Sequence, residues 1–132
     1  MCGIAGYSLS DKNDAIINLK QCINSLKHRG PDSYSKYLNS EEKIGLVHTR
    51  LSIIDTSDKA NQPIGLKKYN AAMVFNGEIY NYKTLKEKLK SYPFEGNYKK
   101  WISSSDTEVL LRFYLNSIRS GYSIENILNQ LN

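Results

Sequence analysis

The sequence predicts an α+β fold, with mostly antiparallel strands joined by short turns and helices held apart from them. Two observations predict it. Apolar residues recur at helical spacing in well-separated stretches, and short strand-like runs lie between those stretches, broken by Gly, Pro and Asn. A length of 132 residues argues for one domain.

The elements follow in order. Residues 3 to 9 read as a strand, weakened by Gly3 and Gly6, which also admit close approach of backbone or ligand. Residues 12 to 28 read as an amphipathic helix carrying Ala15, Ile16, Leu19, Ile23 and Leu26 on one stripe, stopped by Gly30 and Pro31. Cys22 sits at the edge of that stripe and is expected to be a buried, inert thiol. Strand-like runs are expected at Ser33 to Leu38, Ile44 to His48, Leu51 to Asp55 and Ala71 to Phe75. Asn76 and Gly77, between Phe75 and the run Glu78-Ile79-Tyr80, form a tight-turn signal. Residues 82 to 91 read as a short helix. Ser105 followed by Glu108 fits a capping box, opening a helix with Val109, Leu110, Phe113, Tyr114 and Leu115 on its face. Ile124, Ile127, Leu128 and Leu131 recur at helical spacing in the last segment.

Composition narrows the function classes. The net charge is +5, but no run of five or more like charges occurs, so neither nucleic acid nor an anionic membrane is expected as a partner. Lysines 83, 86, 88 and 90 read as a solvated helix face. No apolar run approaches the roughly 20 residues that span a bilayer. The start Met1-Cys2-Gly3 lacks a basic, signal-like lead, and a cytoplasmic location is expected. In that reducing compartment Cys2 and Cys22 should not form a structural disulfide. With no CxxC pair and only His28 and His48, no metal site is expected.

Cys2 is the most informative residue. Removal of Met1 would leave it at the N-terminus with a free α-amine. That amine titrates at about 7.7–8.0 and a free thiol at about 8.5, so one residue supplies nucleophile and base together. Attack of a thiolate on a carboxamide makes an oxyanion that needs preorganised donors. The Asn76 amide and the Gly77 N–H would serve, though the same dipeptide makes ordinary hairpin turns. Arg50 has the planar fork that grips a carboxylate, or is a surface arginine. Asp106 could accept from an ammonium, or simply cap a helix. Arg50 and Asp106 together would hold both ends of a zwitterionic amino acid.

In order along the chain, these residues resemble the class II glutamine amidotransferases, the family with an N-terminal catalytic cysteine. The resemblance is closest to glutamine-hydrolysing asparagine synthetases. It rests on Met1-Cys2-Gly3-Ile4-Ala5-Gly6, His28-Arg29-Gly30-Pro31-Asp32, His48-Thr49-Arg50-Leu51-Ser52-Ile53-Ile54-Asp55, Gln62-Pro63, Phe75-Asn76-Gly77-Glu78-Ile79-Tyr80-Asn81 and Ser105-Asp106-Thr107-Glu108. It implies that Cys2 attacks the glutamine side-chain amide and that Asn76 and Gly77 hold the oxyanion. It implies that Arg50 binds the substrate carboxylate, with the backbone of Leu51, Ser52, Ile53 and Ile54 lining the pocket. Glu78 and Asp106 would bind the amino end. His28 and Arg29 would brace the loop, and His48 would pack.

The fold it implies is a four-layer αββα sandwich of antiparallel sheets, the N-terminal-nucleophile amidohydrolase type. In the family a pair like Leu131-Asn132 leads into further strands. Residues 1–132 are therefore expected to be the N-terminal portion of a glutamine amidotransferase type 2 domain. Glutamine is the implied substrate, and no cofactor is expected in this segment. ATP and magnesium belong to a synthetase domain joined in cis, where the ammonia would meet aspartate. Oligomeric state is left open. So are another class II amidotransferase, for instance a sugar-modifying one, and a non-catalytic remnant or glutamine-binding module.

Overall fold

A computed structural model describes residues 2–8, 12–39, 41, 43–51, 58–91 and 101–132. Two compact units are distinguished, Met1–Asn76 and Gly77–Asn132.

The first unit carries both sheets. Strands β1 (Gly3–Ser8), β2 (Ser33–Asn39) and β3 (Ile44–Arg50) form an antiparallel sheet in the order β1-β3-β2. Its registers pair Gly3 with Thr49 on one side of β3 and Ser33 with Arg50 on the other. Helix α1 (Lys12–Leu26) packs on β3 and β1. Leu19 and Val47 are buried, and Thr49 Oγ1 donates to the Leu26 carbonyl at 3.0 Å, satisfying one of the carbonyls a helix end leaves open. Cys22 departs from expectation. It is half-buried, because it lies on a groove between α1 and β1 that also exposes Ile4, Tyr7 and Gln21.

The second sheet pairs β4 (Ile64–Leu66) with β5 (Ala71–Met73), antiparallel. The turn between them is a 3-10 segment, Lys67–Tyr69, closed by Asn70 at φ 45°. That left-handed conformation is one Asn tolerates better than most residues. Three-residue β4 is too short to announce itself in a sequence. Of the strand expected at Leu51 to Asp55, Leu51 is not in a strand and the rest lies outside the described residues.

The second unit is helical: α2 (Tyr82–Lys90), α3 (Asp106–Arg119) and α4 (Ile124–Leu128). Its buried residues include Ile79, Leu85, Leu89, Val109, Leu111, Phe113 and Ile127. Tyr114 and Leu115, expected on the core face of α3, are only half-buried, while Leu111 takes a core place. Helix α3 ends in a Schellman arrangement. Tyr122 N–H reaches the Ser117 carbonyl, Gly121 N–H reaches that of Ile118, and Gly121 takes φ 83°.

The cap that opens α3 is half of what was expected. Ser105 Oγ accepts the Glu108 N–H at 3.3 Å, but Glu108 does not reach back to Ser105. Its fully buried carboxylate accepts from Ile102 N–H, Ser103 N–H, the Ser103 hydroxyl and Arg112. The Ser105 N–H goes to Ser103 Oγ instead. Burial explains the difference: a carboxylate out of water needs several donors, and one backbone N–H would not suffice. The lysine face also departs at one point. Lys83, Lys88 and Lys90 are exposed, whereas Lys86 Nζ lies 4.1 Å from the centroid of the Trp101 ring, a cation–π contact.

Candidate active site

The β1–β3 register fixes the first part of the site. It runs to Gly3 opposite Thr49, so the positions next in line are Cys2 and Arg50, with Leu51 just beyond. Cys2 Sγ accepts the Leu51 N–H at 3.4 Å and donates to the Leu51 carbonyl at 3.7 Å. Arg29 Nε donates to the Cys2 carbonyl at 3.2 Å, so the backbone of the cysteine is held as well as its sulfur. The bracing expected of Arg29 thus has a defined target. His28 is exposed.

Arg50 is buried. Its Nη1 donates to Asn61 Oδ1 at 2.7 Å, and Ser33 Oγ donates to the same oxygen at 3.2 Å. Its backbone is locked from the β2 side. Asp32 N–H donates to the Arg50 carbonyl at 3.1 Å, and Pro31 bridges Arg50 in parallel. Gly30 is what permits this approach: a Cβ there would stand 2.3 Å from the Thr49 carbonyl carbon and oxygen. The segment His28 to Asp32 therefore works as a wedge that only glycine can pass, set against the residue expected to grip a carboxylate.

His48 is buried, and its Nε2 has no hydrogen-bond partner among the described residues. Burial, with the charge of Arg50 adding to it, lowers its pKa from the ordinary 6.5 to about 4. It is neutral at pH 7 and spares Arg50 a second positive charge nearby.

Asn76 and Gly77 do not form a hairpin turn. No strand follows them; the chain passes through a turn at Tyr80 and Asn81 into α2. The physical reason lies in side chains from elsewhere in the sequence. Before the pair, Gln62 Oε1 accepts the Phe75 N–H at 2.5 Å. After it, Asp106 Oδ2 accepts the Ile79 N–H at 2.9 Å. Asp106 stands at the first helical position of α3 and Ser105 is the N-cap, so the carboxylate is not the cap. Its Oδ1 accepts from the Thr107 hydroxyl at 3.3 Å; a carboxylate has about four acceptor positions, and those beyond these two contacts leave room for an ammonium. Asn76, Gly77 and Glu78 are exposed.

Among the expected site residues, Cys2, Arg50 and Leu51 are thus gathered at one end of β1 and β3. Asp106 holds the loop that contains Gly77 and Glu78. Ser52, Ile53 and Ile54 lie outside the described residues. Sequence reasoning missed Asn61 and assigned no role to Gln62. Two adjacent amides ahead of a proline were the only local signal of either.

The family model described as "Glutamine amidotransferase domain" matches residues 1–126. The chain belongs to that family. This amidotransferase chain is 35% identical over 130 residues to a protein of Methanocaldococcus jannaschii named putative asparagine synthetase [glutamine-hydrolyzing] 2. It is 33% identical over 126 residues to a Gibberella zeae protein named amidase chry2. It is 37% identical over 118 residues to asparagine synthetase [glutamine-hydrolyzing] 1 of Bacillus subtilis. Each alignment takes in 86% of this chain but only 24%, 18% and 17% of the respective relative. The amidotransferase chain therefore spans about a quarter or less of the length of the curated relatives it matches. Its mixture of helices and antiparallel sheets agrees with an α+β domain of this family. Among the described residues, no helix is long and apolar enough to cross a membrane.

Proposed function

We propose that this chain is the glutamine-hydrolysing part of an asparagine-synthetase-like enzyme. With Met1 removed, the Cys2 thiol gives its proton to its own α-amine, and the thiolate attacks the side-chain carboxamide carbon of glutamine. The Asn76 amide and the Gly77 N–H stabilise the oxyanion. The C–N bond breaks, the amine-held proton leaves with ammonia, and a thioester to Cys2 remains. Water then releases glutamate and restores the thiol. Arg50 binds the substrate carboxylate in two parallel hydrogen bonds, and the backbone from Leu51 through Ser52, Ile53 and Ile54 lines the pocket. Glu78 and Asp106 take the ammonium.

One observation carries this reading: the Cys2 sulfur rests on the Leu51 backbone, next in chain to Arg50. A nucleophile and a carboxylate clamp at the same end of two paired strands suit an amino-acid substrate attacked at its far end. The names of the relatives, most of them glutamine-hydrolysing asparagine synthetases, favour it over a sugar-modifying or non-catalytic role.

On this reading residues 1–132 are the N-terminal portion of a type 2 amidotransferase domain. The complete fold is the four-layer αββα sandwich of N-terminal-nucleophile hydrolases. Ammonia passes to aspartate in a synthetase domain joined in cis, which uses ATP and magnesium in the cytoplasm. No cluster of three His, Cys, Asp or Glu side chains suited to a metal occurs among the described residues, and no step assigned here passes through either cofactor. The test is glutamate release from glutamine by Met1-free protein against a Cys2→Ala control. Release that disappears in the variant is expected. A folded, Met1-free wild type that releases none would overturn the reading.

A further inference from the structure

We propose that Gln62 is a positioning residue for Asn76, aiming its amide at the oxyanion; the proposal rests on the glutaminase reading above. The β4–β5 ladder ends at the pair Ile64 and Met73. One step further on the β4 side stands Pro63, which has no N–H to offer. The partner strand goes on through Val74 and Phe75 to Asn76 without strand structure. A half-buried backbone N–H on that stretch still needs an acceptor. Gln62 supplies it from its side chain, Oε1 to Phe75 N–H at 2.5 Å, while itself buried to 9% exposure. The donor being a backbone N–H, the Gln62 atom facing it has to be its oxygen.

The last backbone N–H before Asn76 is therefore fixed by a side chain thirteen residues away. This matters at that place more than at most. An oxyanion donor works within a few tenths of an ångström, and a displacement of about 1 Å can cost about 100-fold in rate. Gln62 is assigned no contact with substrate or sulfur, so its removal should act on turnover through Asn76 and leave binding through Arg50 in place.

The experiment compares Met1-free wild type, Gln62→Met and Gln62→Glu for glutamate release. The first variant keeps length and removes the acceptor; the second keeps an acceptor oxygen. The expected result for Gln62→Met is a kcat about 10- to 100-fold lower, with KM for glutamine nearly unchanged. Gln62→Glu should recover most of the loss. An active wild type with Gln62→Met equal to it in kcat, or altered in KM alone, overturns the proposal and leaves the glutaminase reading standing. An inactive wild type overturns that reading and takes the proposal with it. Should Gln62→Met fail to fold, hydrogen exchange at the Phe75 amide of the wild type decides. Protection supports the contact, and exchange at the rate of an open chain refutes it.

Discussion

Replacing Gly30 with alanine tests the wedge against β3. The Cβ would stand 2.3 Å from the Thr49 carbonyl carbon and oxygen and 2.4 Å from the Arg50 nitrogen, where ordinary contact begins near 3.4 Å. The misfit is about 1 Å, and all three atoms belong to one peptide group that β1 and β2 hold from either side. A flexible side chain could swing away; this peptide cannot. Overpacking costs about 1–3 kcal/mol, and a backbone neighbour puts this case near 3 kcal/mol. For a chain of this size that lowers Tm by about 10 °C. The shift would fall on Thr49, Arg50 and Leu51, so glutaminase kcat/KM should drop about 100-fold. Gly65→Ala is the control: its nearest neighbour would be the Ala71 carbonyl oxygen at 3.9 Å, and its stability should change by no more than about 0.5 kcal/mol. Thermal melts and initial rates on the three proteins suffice. A Gly30→Ala protein that melts with the wild type would refute the steric argument.

Two other outcomes are expected. Arg50→Ala should raise KM for glutamine about 10- to 150-fold, since a charge-assisted contact is worth about 1.5–3 kcal/mol; an unchanged KM in the folded variant removes Arg50 from the site. His48 should make the fold acid-sensitive. Its folded pKa of about 4 lies below the ordinary 6.5, so the unfolded chain binds the extra proton between those values. The contribution is whole above about pH 6.5, is lost as pH falls toward 4, and amounts to about 3 kcal/mol at most. Urea midpoints across that range should fall more steeply for wild type than for His48→Phe, and parallel curves would count against it.

What was legible in the sequence was what local chemistry decides. The helix of α1 and the Ser105 cap of α3 depend on residues three or four apart, and both elements are in place. Asn76 and Gly77 misled, because their hairpin signal is local while the acceptors that shape the segment, Gln62 and Asp106, come from distant positions. Glu108 misled for the same reason. A capping box presumes a solvated carboxylate, and this one is buried with Arg112. At the candidate site, Cys2 and Arg50 are singled out by their motifs. Their placement at one end of the sheet follows from the β1–β3 register, which no short window of sequence contains. Asn61 had only the neighbouring amide and proline to mark it, and neither says that it receives Arg50 and Ser33.

The ring of Trp101, with Lys86 Nζ at 4.1 Å and Arg112 Cζ at 4.8 Å from its centroid, has a practical consequence. It is the sole indole of the chain, and both cations belong to helices of the Gly77–Asn132 unit. Intrinsic emission excited at the red edge therefore watches that unit alone, with the sheet-bearing unit dark. A spectroscopist following denaturation by this colour and by circular dichroism holds two separate clocks, one for the helices around the indole and one for the whole chain.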